Sequence, residues 1–248
     1  MERGMGVFSM VPTKNPEPSK PEHEVTIDAG GVELHGTLAL PANPAGVVLF
    51  AHGSGSSRHS PRNRYVAGVL QSRGVATLLF DLLTKEEESV DQWTAELRFD
   101  IPMLAQRLFD TTRWSLLSDE LKSLKIGYFG ASTGAAAALV AAARLPDSVR
   151  AVVSRGGRPD LAGDVLESVH APTLLIVVGN DEQVIDLNRI ALEKLHCHEK
   201  KLVIVPGATH LFEEPGTLEE VARLAADWFA DHFKSTPQSR RQSSRYQN

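Results

Sequence analysis

Five residues carry the densest chemistry in this chain: Gly130-Ala131-Ser132-Thr133-Gly134. They follow a short apolar run, residues 125–129, and precede an alanine-rich stretch, residues 135–144. That order reads as strand, turn and helix. A strand that turns sharply into a helix crowds the residue at the turn, and glycines on either side allow neighbouring backbone to come close. The serine is left at the tip with its Oγ exposed, in front of a helix N-terminus that favours developing negative charge. A serine so placed is a candidate nucleophile. It then needs a base to take its proton and an acid to orient that base.

Two later loops offer these groups. The apolar run 172–178 ends in Gly179-Asn180-Asp181-Glu182, and the apolar run 201–205 ends in Pro206-Gly207-Ala208-Thr209-His210. Each reads as a strand whose C-terminal end delivers a polar group, and the C-terminal edge of an open parallel sheet is where ligands bind. Asp181 is the candidate acid and His210 the candidate base. Glu182 is a close rival for the acid role, and Gly-Asn-Asp is also ordinary turn chemistry. The other histidines are placed less well. His23 and His35 fall in an N-terminal hairpin region, His59 in a polar loop, His170 ahead of a strand, and His232 in the last helix. His196-Cys197-His198 lacks the ligand spacing of zinc sites, so no metal is expected.

A fourth feature is the run 47–51, a buried-strand pattern that enters His52-Gly53-Ser54-Gly55-Ser56-Ser57. With no Lys-Ser/Thr ending it is not a P-loop. It can instead bend over the serine, so that the backbone N–H of Ser54 joins that of Thr133 as an oxyanion donor.

With these segments in order, the chain resembles the α/β-hydrolase superfamily, and within it the dienelactone hydrolase-like group. The resemblance rests on Ala51-His52-Gly53-Ser54-Gly55, Gly130-Ala131-Ser132-Thr133-Gly134, Gly179-Asn180-Asp181 and Gly207-Ala208-Thr209-His210, and spans about residues 24–233. It implies an α/β fold. The sheet is mostly parallel, with an N-terminal antiparallel hairpin, helices on both faces and no large lid. It implies ester hydrolysis by Ser132, His210 and Asp181 without a cofactor. Thioesterase, lactonase, amidase or haloperoxidase-like chemistry on the same triad, or a non-catalytic binding role, remain alternatives. Dienelactone hydrolases carry a cysteine nucleophile; here serine holds that position and the one cysteine is Cys197. The resemblance therefore carries the fold and the reaction type rather than that substrate. Some similar domains are fused to phosphoribosyltransferases.

The remaining elements follow from pattern. Residues 25–27 and 32–40 alternate about Ala29-Gly30-Gly31, a hairpin signal. A helix is expected at 64–73, a strand at 76–80, an acidic loop at 84–92, and a helical stretch at 93–112 interrupted or started afresh near Pro102. After the serine come a strand at 149–154, a short helix near 162–168 and a helix at 185–196. Thr217-Leu218-Glu219-Glu220 reads as a capping box opening a last helix to about residue 233. Alternating strands and helices imply a parallel sheet. One domain is expected at 23–233, between a flexible segment 1–22 and a disordered basic tail 234–248. Arg155 and Arg158 follow the strand next to the serine's, and Arg58 and Arg62 follow the oxyanion segment. Arg155 and Arg58 are candidates to hold an anionic substrate group; the alternative is structural pairing with Asp81 or with Glu86-Glu87-Glu88.

Composition limits the partners. A net charge of −5 leaves no footprint for nucleic acid. No apolar run is long enough to span a bilayer. The N-terminus lacks the apolar core of a secretory signal. A single cysteine suits a reducing cytosol. The expected partner is a small ester, and the expected location is cytoplasmic.

Overall fold

Every residue of Gly46–Ala51 and of Thr173–Val178 is buried. Strands hidden on both faces belong inside a parallel sheet covered by helices on each side. The computed structural model, which describes residues 20–234, has this form. Its strands are β1 (Lys20–Asp28), β2 (Glu33–Leu40), β3 (Gly46–Ala51), β4 (Ala76–Phe80), β5 (Lys125–Ala131), β6 (Val149–Arg155), β7 (Thr173–Val178) and β8 (Lys200–Val205). Its helices are α1 (Pro61–Ser72), α2 (Lys85–Thr94), α3 (Ile101–Leu117), α4 (Thr133–Arg144), α5 (Glu182–Lys194) and α6 (Thr217–Lys234).

The sheet order is β1-β2-β4-β3-β5-β6-β7-β8. β2 pairs antiparallel with both β1 and β4, and the other neighbours run parallel. The chain leaves β3 for β4 on one side and returns to β5 on the other. The strand order thus reverses between β3 and β5, the point where a crevice opens at the C-terminal edge of such sheets. The loop after β3 and the turn after β5 meet there.

Side chains of β3 divide between two cores. Val47, Leu49 and Ala51 join the layer of α3 and α4, whereas Val48 and Phe50 join the layer of α1 and α6. The hairpin β1–β2 is closed by the Ala29 N–H donating to Val32 C=O and the Gly31 N–H donating to the Asp28 carboxylate. Among the described residues no helix is long and apolar enough to cross a membrane.

Several boundaries differ from the sequence reading. Lys20, Pro21 and Glu22, assigned to the flexible segment, already belong to β1, and Lys234 closes α6. Residues 1–19 and 235–248 lie outside the described residues. The acidic stretch expected as a loop is helix α2. The Thr84 side chain accepts from the Glu87 N–H and the Glu87 side chain accepts from the Thr84 N–H, a reciprocal cap, and Glu86, Glu87 and Glu88 fall in the first turn, where negative charge suits the helix N-terminus. Of the two readings at Pro102, the structure shows the fresh start. Pro102 occupies the first turn of α3, where its missing N–H costs nothing, behind an Asp100 cap. Thr217 does not close a capping box; its hydroxyl donates back to the Glu214 C=O.

The turn after β5 depends on close packing. A Cβ on Gly134 would lie 2.2 Å from the Ala51 carbonyl oxygen and 2.5 Å from that of His52. Both obstacles are backbone at the end of β3, so neither can rotate away. Gly134→Ala is expected to cost about 3 kcal/mol or more and to lower the Tm by roughly 6–12 °C, measured by thermal unfolding.

Candidate active site

Ser132 sits at the tip of the turn between β5 and α4 with φ 52° and ψ −121°. A non-glycine residue held there costs about 1–3 kcal/mol, so the surroundings must enforce it. The Ser132 N–H donates to the Arg155 C=O at 3.3 Å, and the Ser132 C=O accepts from the N–H groups of Arg158 and Ala135. Below the turn, a Cβ on Gly130 would meet the Ala135 Cα at 2.5 Å. Thr133 and the next six residues of α4 are buried, so the helix points its first turn at the edge from a fixed position.

The loop after β3 closes over this serine. A Cβ on Gly53 would lie 3.0 Å from the Ser132 Cβ. A tight turn, with the Ser56 N–H donating to the Gly53 C=O at 3.2 Å, leaves Ser54 exposed at its tip. The loop is anchored by His52, a role missed in the sequence. Its buried ring accepts the Leu82 N–H at Nε2, 3.0 Å, which obliges Nδ1 to carry the proton and donate to the Gly53 C=O, 3.0 Å. Burial holds this histidine below its ordinary pKa, so it stays neutral and keeps both bonds. A cavity of about 440 Å³ opens beside the loop, lined by residues 52–57, Thr133, Leu104 and the carboxylates of Asp81, Glu88 and Asp91. Arg98 also lines it, clamped by Asp91 through Nε–Oδ2 at 2.6 Å and by the Asp91 C=O at 2.7 Å.

Asp181 and His210 reach the same edge on loops that are tied together. The Asn180 N–H donates to the Ala208 C=O at 3.1 Å and the Asn180 side chain to the Gly207 C=O at 2.8 Å. The histidine loop is held further by the Glu214 carboxylate, which accepts from the Thr209 N–H and hydroxyl, and by buried Phe212. The His210 C=O lies 3.4 Å from where a Cβ of Gly156 would stand, just past the end of β6. Asp181 caps α5, its Oδ1 accepting from the Val184 N–H at 3.0 Å. Glu182 opens that helix and is exposed. No hydrogen bond among the described residues links Ser132, His210 and Asp181 directly; such bonds often tighten only when substrate arrives. Charge links Asp181 with His210. Burial pulls the His210 pKa down, Arg155 and Arg62 add to this, and Asp181 opposes it.

The arginines separate sharply. Arg58 is committed to structure: its guanidinium pairs with Asp81 and also reaches Glu24 at 3.3 Å, while its N–H donates to Asp81. The structural alternative weighed for Arg58 is therefore the one observed. Arg158 forms a fork with Asp160, two bonds of 2.8 Å. Arg155 has neither acidic partner foreseen for it. Its guanidinium is buried, donates to the Asn63 side-chain oxygen at 3.0 Å and lies 5.8 Å from the centre of the Phe212 ring. Asn63 left no signal in the sequence, because its partner is 92 residues away; His52 and Asn180 lie within the motifs, but their roles as ties do not show there.

The fold and this edge define an α/β hydrolase. The chain belongs to the dienelactone hydrolase family, whose pattern it matches over residues 34–235. It is similar to a crystal structure of dienelactone hydrolase from Anabaena variabilis, with 58% identity and a TM-score of 0.85, covering 87% of this chain and 99% of that one. It shares its fold with an α/β serine hydrolase without lid from Xanthomonas campestris, at 21% identity and a TM-score of 0.69, covering 89% of this chain and 100% of that one. Proteins of Mycobacterium tuberculosis named putative phosphoribosyl transferase are 60% identical over 217 residues, 88% of this chain and 48% of theirs. The chain thus spans about half the length of those relatives.

The charges around His210 lead to a pH test. The charges that act on its ring are Arg155 from β6, Asp181 ahead of α5 and Arg62 from α1. If neutral His210 is the working base, kcat/KM for an ester rises with pH through its pKa. The acid limb should have its midpoint below histidine's ordinary value of about 6.5. Arg62→Gln removes a charge that disfavours the protonated ring, so the midpoint should move up; a pH–rate profile of both proteins measures the difference.

Proposed function

We propose that this chain is a serine hydrolase that cleaves small carboxylic esters through an acyl-enzyme. One observation carries the reading: Ser132 is held at positive φ on a tight strand-to-helix turn, at the point where the strand order reverses. Ser132 Oγ attacks the ester carbonyl as His210 takes its proton. Asp181 orients the imidazole and stabilises its charged form. The N–H groups of Thr133 and Ser54 bind the tetrahedral oxyanion, each contributing on the order of 3 kcal/mol in the transition state. The alkoxide leaves with the proton from His210. Water, deprotonated by the same ring, then releases the acid. The depressed pKa of His210 keeps it neutral and competent at pH 7.

The open edge, with α2 and a single 3₁₀ turn, Leu97–Phe99, beside it, suits short acyl groups. Thioesters, lactones and amides are alternatives on the same residues. The transferase name of the longer relatives supports a second reading, phosphoribosyl transfer, which has no use for a serine nucleophile. Hydrolysis of p-nitrophenyl acetate, butyrate and octanoate separates the two. Wild type should favour the short chains and react with a fluorophosphonate. Ser132→Ala should lose about 10⁴-fold or more in kcat with an unchanged Tm. Full activity in that variant would sink the assignment.

A further inference from the structure

The cavity beside the loop after β3 is polar where ligand cavities are usually apolar. Small-molecule sites of about 300–1,000 Å³ are lined mainly by hydrophobic side chains, with a few polar groups for orientation. This one, about 440 Å³, reverses the balance. Against Leu82, Leu83 and Leu104 stand the hydroxyls of Ser54, Ser56 and Ser57, the Gln92 amide and three carboxylates. The cavity also adjoins the candidate nucleophile, because Thr133, the residue after Ser132, lines it. An alkyl group placed there takes water from these polar atoms and gives them no partner in return.

Charge narrows the choice of occupant. Asp81, Glu88 and Asp91 repel an anion. A cation is poorly served as well. Two of these carboxylates are already matched, Asp81 by Arg58 and Asp91 by Arg98, and Arg98 itself lines the cavity. The pairing fixes the carboxylates without exhausting them. Asp91 Oδ1 accepts the Arg98 backbone N–H at 3.1 Å and Oδ2 accepts the Arg98 Nε–H at 2.6 Å. Asp81 is held in the same way by the backbone N–H and the guanidinium of Arg58. An ionised carboxylate has about four acceptor positions, so each keeps some for a further donor. The exposed Glu88 carboxylate on α2 has no hydrogen-bond partner among the described residues. Thr133 is 3% exposed, and its Oγ1 has no partner either. Such a lining suits a neutral group whose atoms both donate and accept.

We propose that this cavity binds a hydroxyl-rich alcohol portion, and that the preferred substrates are short-chain esters of a sugar or another polyol. The proposal rests on the reading of Ser132 as an ester-cleaving nucleophile. A hydroxyl donates to a carboxylate while it accepts from a serine or from the Gln92 amide, so one polyol satisfies both kinds of group. The acyl group is placed at Ser132 and the alcohol fills the cavity. When the ester C–O bond breaks, the polyol leaves with the proton carried by His210, and water later releases the acid.

Acetates that share one acyl group test this. 6-O-Acetylglucose, cyclohexylmethyl acetate and acetylcholine carry a polyol ring, an apolar ring and a cation on the alcohol side, and acid release reports all of them. Wild type should favour the sugar ester over its apolar match by about tenfold or more in kcat/KM. Glu88 and Gln92 are exposed on α2, so their replacement leaves the core intact. Glu88→Leu and Gln92→Leu should each shrink that ratio by about threefold or more, mainly through KM. Glu88→Gln should keep part of it, because an amide oxygen still accepts a hydroxyl. A ratio near one in wild type, or equal losses for both esters in the leucine variants, overturns the proposal. A preference for acetylcholine overturns it too, since the cavity is then a cation site. Failure of the hydrolase reading looks different: no acetate is turned over at all. In that case saturation-transfer NMR with methyl glucoside decides. Transfer in wild type that falls in Glu88→Leu supports a polyol site, and no transfer in wild type overturns it.

Discussion

The contact on which the site depends is backbone against backbone. Gly134 lies so close to the carbonyls of Ala51 and His52 that no side chain fits between them. This contact brings α4 against the end of β3 and leaves Ser132 nowhere to go but positive φ. It also sets Gly53 beside the serine, so Ser132 and the loop after β3 are positioned by one approach. The strain at Ser132 persists because the buried alanines of α4 and the strands on either side over-determine the turn.

Around that contact, polar side chains act as ties between loops rather than as reagents. His52 joins the loop after β3 to the end of β4, and Asn180 joins the loop after β7 to the one after β8. Glu214 then clamps the histidine loop from its far side. Each tie satisfies groups that would otherwise be unpaired near the surface, and each limits where a candidate catalytic side chain can travel. The result is an edge where loops from distant segments are tied to one another and the charge of Asp181 acts on His210.

Charge at the edge is mostly paired off. Two carboxylates beside the loop after β3 are matched by arginines, Asp81 by Arg58 and Asp91 by Arg98. Arg155 differs: it is buried, makes no ion pair among the described residues and donates to the neutral amide of Asn63. A buried guanidinium without a carboxylate works against folding.

The sequence by itself determined the alternation of strands and helices, the antiparallel hairpin, and the three segments that deliver serine, aspartate and histidine to one edge. Those features are local: apolar runs, glycines at turns and polar residues just past strand ends are all read within a few positions. Helix α2 was obscured because its reciprocal cap, Thr84 with Glu87, lies inside a charge-rich run that reads as loop. Only the tertiary structure decided which arginine meets a carboxylate and which a neutral amide. Arg58 and Arg155 look alike in sequence, yet one faces Asp81, 23 positions away, and the other faces Asn63, 92 positions away. Pairing of that kind depends on which elements the sheet order brings together, and no local pattern encodes it.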